Sequence, residues 1–266
     1  MVQVKSKREI EAMRRVGAAV AKVLSQVATL VKPGVTLLEL DAAAENLSRE
    51  AGAVPAFKGY QGYRHTLCTS VNEQIVHGIP TDRALKEGDI VGVDFGLILD
   101  GFYGDSAITL PVGPISAEAA ELCQTTMRSL YAAIDACRAG NTLKDVAAAV
   151  EGVVNPKSFG IVREFVGHGI GRKLHEDPQV PNYVAGASNF KLKPGMTICL
   201  EPMVNRGKPG MRVLSDGWTA VSADGSLSAH YEHALVITEG DAEVLTEWDG
   251  GRPYGGFLEK LAGFQL

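Results

Sequence analysis

Apolar residues recur every three or four positions along Ile10, Met13, Val16, Val20, Leu24, Val27 and Val31. That period places them on one stripe of a helix. Ser6-x-x-Glu9, just ahead, is a capping box, in which a hydroxyl and a carboxylate satisfy the first free backbone donors. Thr36-x-x-Glu39 opens a second helix to about Ala51, and Ser116 starts a long third one. Thr142-x-x-Asp145 opens a fourth, which stops near Asn155-Pro156. A loop rich in Gly and Tyr follows the second helix. Elsewhere the period shortens, and apolar runs predict strands near 66–78, 90–108, 161–166, 196–205, 211–222 and 230–245.

Parts of this pattern occur twice. L-K-E-G-D-I-V-G-V-D at 85–94 aligns with L-K-P-G-M-T-I-C-L-E at 192–201, an offset of 107. P-G-V-T-L-L-E-L at 33–40 aligns with A-G-N-T-L-K-D-V at 139–146, an offset of 106. Two echoes at nearly one offset predict a duplicated α+β unit of about 110 residues. We therefore expect one catalytic domain over 1–266, with pseudo-equivalent halves at roughly 1–110 and 111–250. Asp94 and Glu201 fall at equivalent places in the two halves.

Asp100-Gly101 is a two-residue hairpin signal. A turn there sets Leu99 opposite Phe102 and Asp94 opposite Ala107. Asp105 then shares a face with Asp94, diagonal to it, about 7–8 Å away at the backbone. Their strand reads as buried through Val91, Val93, Phe95, Leu97, Ile98 and Leu99. Buried carboxylates are costly without a partner, and a metal ion is one of the few available. Glu201 in L-E-P-M, Glu232 in Y-E-H and His168 in G-H-G-I-G-R complete a set of four acids and one imidazole. Such a set suits two divalent ions sharing oxygen bridges, which points to a metallohydrolase.

Composition narrows the setting. The net charge of −5 gives no footing for nucleic acid. The N-terminal basic residues Lys5, Lys7, Arg8, Arg14 and Arg15 read as a solvated helix face, although a transient ribosome contact is a partner class such a face admits. No signal peptide or membrane span is apparent, so we expect a cytoplasmic monomer with no membrane partner. Cys68, Cys123, Cys137 and Cys199 show no C-x-x-C spacing and read as reduced, unpaired thiols.

Six histidines need sorting. His168 stands out because glycines on both sides let its backbone approach a ligand. His77 in I-V-H-G-I-P and His175 in K-L-H-E-D-P suit hydrogen bonds to a substrate carbonyl or amide. His65 and His230 read as surface or supporting residues, and His233 as an orienter of a neighbouring ligand.

Taken together, G-Y-Q-G-Y at 59–63, N-E-Q-I-V-H-G-I-P at 72–80, V-D-F-G through Y-G-D-S, G-H-G-I-G-R-K-L-H-E-D-P-Q-V, L-E-P-M-V-N, D-G-W-T at 216–219 and S-L-S-A-H-Y-E-H at 226–233 resemble the type one methionine aminopeptidases in their short bacterial form. The resemblance runs from the first helix to about residue 248. It implies the pita-bread fold, an α+β architecture of two pseudo-symmetric halves with a curved antiparallel sheet and outer helices. It implies removal of the N-terminal methionine from peptides and nascent proteins when the second residue is small. A water activated by two divalent ions, cobalt, manganese, iron or zinc, would attack the first peptide bond. Asp94 would chelate one ion, Asp105 and Glu232 would bridge both, and His168 and Glu201 would complete the other. Glu201 would also shuttle a proton, His175 would stabilise the oxyanion and His77 would contact the scissile amide. Tyr60, Tyr63, Cys68 and Trp218 match positions lining the methionine pocket. Backbone carbonyls of Asn72, Gln74 and Ser228 match a monovalent cation site.

Three positions depart from the family pattern. Leu174 stands where Phe is frequent, Phe57 where many members carry Cys, and His230 where Gln is common. The first two change pocket shape and the third stands beside a bridging ligand. Two alternatives share part of this signature. One is an X-Pro aminopeptidase or prolidase, which would normally carry a further N-terminal domain. The other is a non-catalytic binding protein of the same fold.

Overall fold

The computed structural model describes residues 2–251 and Tyr254. Helix α1 spans Lys7–Ala28, α2 Leu37–Glu50, α3 Ala117–Ala136 and α4 Leu143–Val154. Ser6, Thr36 and Thr142 each close the predicted capping box, and Ser116 caps α3 through the amide of Ala119. Asn155-Pro156 ends α4 in a short 3-10 turn, as expected. The apolar stripe outruns α1: Val31 lies beyond Thr29, where the helical bonding stops.

The strands are β1 Val54–Pro55, β2 Leu67–Val71, β3 Gln74–Val76, β4 Ile90–Leu99 and β5 Phe102–Pro111 in the first part of the chain. The second part adds β6 Gly160–Ile161, β7 Gly167–Gly169, β8 Glu176–Val180, β9 Thr197–Leu200, β10 Met203–Asn205, β11 Met211–Val213, β12 Ala220–Ser222, β13 Ser228–His230, β14 Glu232–Val236 and β15 Glu243–Val244. Several predicted strands are therefore interrupted. Asn72, at φ 57°, turns the chain between β2 and β3. Pro202 separates β9 from β10, since proline brings no ladder donor. Asp216 accepts bonds from the amides of Trp218 and Thr219, making a loop where 211–222 read as one strand. Of the segment expected at 161–166 only Ile161 lies in a strand, the short β6, and neither β7 nor β8 was anticipated.

The main antiparallel sheet runs β1-β4-β5-β14-β9-β7-β8, with β2 also on β4 and β15 on β14. Small sheets β13-β10-β6 and β11-β12-β3 flank it. Helix α1 packs on β4 and β5, and α3 packs against α4 and the strands of the second part. Met13, Val16, Val20, Leu24 and Val27 are all buried on this face. Each such side chain contributes about 1.5–3 kcal/mol through burial. Gly104 leaves room for them, because a Cβ there would press on Val16 and Val20. One face of the sheet is thus covered by helices, and the other is free to carry polar chemistry. Among the described residues no helix is long and apolar enough to cross a membrane.

Candidate active site

The first two acids sit where turn geometry puts them. Asp100 and Gly101 have φ of 53° and 76°, the positive values this hairpin turn needs. The register pairs Leu99 with Phe102, Asp94 with Ala107 and Gly96 with Asp105. Asp94 and Asp105 therefore share one face, diagonal to each other. Across β5, Ala107 also pairs with Glu232 of β14. Glu201 follows β9, which pairs with β14, and His168 lies in β7 beside β9. All five predicted ligand residues line one cavity of about 300 Å³.

Burial dominates the electrostatics. It pushes Asp94 up to about 7 from the ordinary carboxylate value. Burial, then the charges of Glu232 and Asp94, hold Asp105 well above that range. Glu201 and Glu232 are raised well above it too, by burial first and their acidic neighbours second. Asp94 Oδ1, Asp105 Oδ1, Glu201 Oε1 and Glu232 Oε1 have no hydrogen-bond partner among the described residues. Buried acids left without donors and facing one another destabilise the fold unless a cation joins them. This donor set fits a hard or borderline divalent ion.

His168 is prepared for the same role. Its Nδ1–H donates to the carbonyl of Gly169 at 2.9 Å, which leaves the Nε2 lone pair free. Nε2 lies 3.4 Å from Glu201 Oε1 and 4.0 Å from Asp105 Oδ2. Burial pushes its pKa down to about 3, so the ring is neutral, the form that binds metal. The flanking glycines serve another purpose than expected. A Cβ at Gly167 would strike the carbonyl of Cys199, and one at Gly169 the carbonyl of Asp177. They permit close strand packing.

His77 and His175 also line the cavity. His77 has a φ of 60° and its ring meets Phe165 edge-on. Burial pushes its pKa down to about 4. His175 stands open to solvent at the mouth, with enough protein around it to lower its pKa. The Tyr60 hydroxyl lies 2.7 Å from His175 Nδ1. With the phenol donating, Nε2 carries the proton and can donate in turn. Phe57, Tyr63, Cys68 and Leu174 form one buried apolar cluster, flanked by Tyr60 and Trp218. Tyr63 and Trp218 meet edge-on at 5.0 Å, and the Tyr63 hydroxyl donates to the Leu67 carbonyl at 2.8 Å. The cavity is thus acidic at one end and aromatic at the other. An open groove of about 770 Å³ shares His168 and His175 with it and runs past Arg172, Lys173 and Glu176.

The remaining predicted positions lie elsewhere. Asn72, Gln74 and Ser228 are outside the cavity lining, with the Ser228 amide donating to the Asn72 carbonyl. His65 bonds Asp41 and lies outside the lining. His233 follows Glu232 on the strand and so points to the opposite face, where it bonds Tyr131 and Thr246. His230 is more central than its sequence context suggested: it is 3% exposed and lines the cavity, with Nε2 3.9 Å from Glu232 Oε2. Cys199 was missed altogether. Its thiol groups with Asp105, His168 and Glu232, the four donor atoms lying within 4.8 Å of one another. The strand period could have found it, since it stands two residues before Glu201.

Comparison with known proteins agrees with this geometry. Residues 11–239 match the model of metallopeptidase family M24. The chain belongs to that family. It is 44% identical to methionine aminopeptidase 1 of Bacillus subtilis (strain 168) over 246 residues, covering 92% of this chain and 99% of the relative. It superposes on the crystal structure of a Thermotoga maritima methionine aminopeptidase with a TM-score of 0.90 at 43% identity, covering 92% of this chain and 99% of that one. The prolidase from Pyrococcus furiosus shares the fold alone, with a TM-score of 0.74 at 23% identity. This chain covers 65% of that larger protein. The M24 chain described here has the pita-bread fold and is a metal-dependent hydrolase.

Proposed function

We propose that this chain removes the N-terminal methionine from peptides and nascent proteins whose second residue is small. The observation that carries the reading is the two-ended cavity, unpartnered acids at one end and a Tyr60–Tyr63–Trp218 pocket with Cys68, Phe57 and Leu174 at the other. Its relatives are methionine aminopeptidases over nearly their full length. The chain functions as a single catalytic domain with two pseudo-equivalent halves.

Asp94, Asp105, His168, Glu201 and Glu232 would hold two divalent ions, of cobalt, manganese, iron or zinc. Metal bound there supplies Lewis acidity, which polarises the scissile carbonyl and can bring the pKa of water to about 7. The aromatic pocket takes the methionine side chain, whose thioether packs well against rings. The acidic cluster receives the free amino terminus, which restricts cleavage to the first residue. Glu201 takes a proton from the attacking water and returns it to the leaving amine. His175 donates Nε2–H to the developing oxyanion, and His77 contacts the scissile amide. The groove past Arg172 and Lys173 lets the rest of the peptide leave. Asn72, Gln74 and Ser228 carbonyls would hold a monovalent cation apart from the chemistry. The protein works as a cytoplasmic monomer, with any ribosome contact transient.

A Met-Ala-Ser peptide, assayed with and without divalent metal, tests the reading. Chelation should abolish cleavage, and added metal restore it. Cleavage of X-Pro substrates in preference to Met-Ala-Ser would move the chain to the prolidase group. No turnover of either by protein that binds metal would favour a binding role.

A further inference from the structure

The segment that carries His175 is irregular. Gly171–His175 lie in bends between β7 and β8, outside either strand. The amides of Arg172 and Lys173 both donate to one carboxylate oxygen, Glu176 Oε1, at 2.8 and 3.2 Å. The other oxygen, Glu176 Oε2, accepts from Lys5 Nζ at 2.5 Å. The Lys5 side chain is 4% exposed and that of Glu176 12%, so water and salt screen the pair little. Lys5 comes from the stretch ahead of α1, where its amide donates to the Gly195 carbonyl at 2.8 Å. Its side chain then runs through the space that Gly171 leaves. A Cβ at Gly171 would come within 2.5 Å of Lys5 Cε and 2.6 Å of Nζ. The Gly171 carbonyl accepts the Tyr103 amide at 2.8 Å. The start of the bend is thus tied to β5 and its end, through Glu176, to Lys5.

We propose that Lys5 is a positioning residue for the reaction: its ammonium locks the Glu176 carboxylate, which holds the Gly171–His175 bend and with it the place of the His175 ring. The inference rests on the reading of His175 as the oxyanion donor. A carboxylate with one oxygen on two amides and the other on a buried ammonium cannot rotate without breaking those bonds. His175 stands at the open mouth with the Tyr60 hydroxyl 2.7 Å from Nδ1, so its aim depends on where the bend sets its backbone. Leu174, buried in the apolar cluster of the pocket, rides on the same bend. None of Asp94, Asp105, His168, Glu201 and Glu232 lies in it, so the pair bears on the reaction and not on metal loading. Misplacing a reacting group by about 1 Å can cost about 100-fold in rate; a bend still tethered at Gly171 moves less, and about 10-fold is expected.

The test is single-turnover cleavage of Met-Ala-Ser by the full chain loaded with Co(II), in wild type, Lys5→Met, His175→Ala and the double variant. Lys5→Met should lower the rate about 10-fold. Its Co(II) affinity, read by titration, should stay within about 2-fold of wild type, as for sites that do not interact. In the His175→Ala background the same change should cost less than about 2-fold, since the group it positions is gone. Glu176→Gln keeps an oxygen for the two amides and removes only the charge that holds Lys5, so it should repeat this pattern. Thermal unfolding shows which variants are folded, and either pair variant suffices. An undiminished rate in Lys5→Met, or its full loss repeated on top of His175→Ala, would overturn the inference. Loss of Co(II) binding or of folding in both pair variants would make the pair a support of the whole molecule and overturn it too. His175→Ala as active as wild type would remove the oxyanion reading beneath it, a different failure.

Discussion

Removing the His175 imidazole should slow the chemical step and leave the metal centre loaded. The ring offers one hydrogen-bond donor, oriented by the Tyr60 hydroxyl at 2.7 Å from Nδ1. Loss of one preorganised oxyanion donor costs about 100- to 1000-fold in kcat, some 2.7–4 kcal/mol. His175 faces solvent at the mouth, where water can replace part of what is lost. The lower end is therefore expected, about a 100-fold fall in kcat for His175→Ala, with KM little changed. Tyr60→Phe removes only the bond that fixes the tautomer. A net hydrogen bond of about 0.5–1.5 kcal/mol makes that about 2- to 13-fold. The assay is single-turnover cleavage of Met-Ala-Ser beside a measured metal content. His175 and His168 rings lie 4.4 Å apart, so collapse of the first could disturb the second. If His175→Ala lost its metals, or if kcat fell by less than about 3-fold, the assignment of an oxyanion donor would be wrong.

Three further outcomes follow from the same site. The metal-free protein should lose stability as pH rises. Asp94 titrates near 7 when folded against an ordinary 3.8, so the folded state holds its proton more tightly than the unfolded chain. Its contribution is full below about pH 4 and lost as pH passes about 7; the melting temperature of chelated protein should fall between about pH 5 and about pH 8, and a rise would reverse the sign we assign. Peptides beginning Met-Ala, Met-Gly or Met-Ser should be cleaved well and Met-Lys, Met-Phe or Met-Leu poorly, because the role proposed for His77 would set the scissile bond between that ring and the acids lining the same cavity; equal kcat/KM in the two groups would contradict a walled site. Leu174→Phe should raise the kcat/KM ratio of Met over norleucine by a few-fold, since a ring adds sulfur contact worth about 0.3–1.5 kcal/mol, and an unchanged ratio would separate Leu174 from sulfur preference.

What the chain reveals before folding depends on whether a local rule fixes the geometry. Asp94 and Asp105 were legible because Asp100-Gly101 dictates both turn and register, and register decides which side chains share a face. Helix starts were legible because each capping box is complete within four residues. Strand ends were not. Glu201-Pro202 and the Asp216 loop interrupt runs that look continuous, because a strand stops where its pairing partner stops. Cys199 escaped for a related reason. Cysteine spacing says only that it lacks a disulfide or zinc partner along the chain, whereas its contacts come from β5, β7 and β14. His230 was underrated because burial of its ring is a property of the small sheet β13-β10-β6, invisible from its neighbours in sequence.

Ala107 shows how the sheet makes room for a metal centre. It is fully buried and pairs on one side with Asp94 and on the other with Glu232. Directly paired residues project to one face, so a row of acid, methyl and acid crosses three strands. Adjacent strands lie about 4.8 Å apart, which sets the outer two backbones about 10 Å from each other. Each carboxylate must lean inward over Ala107 to meet the other and the diagonal Asp105. A methyl leaves that space open. A β-branched or longer side chain would fill it with hydrocarbon, keep the acids apart and leave them buried without a cation. The electrostatic cost of the four acids and the small volume of Ala107 are therefore one design: repulsion that a bound cation relieves at neutral pH, arranged around a gap a small residue provides.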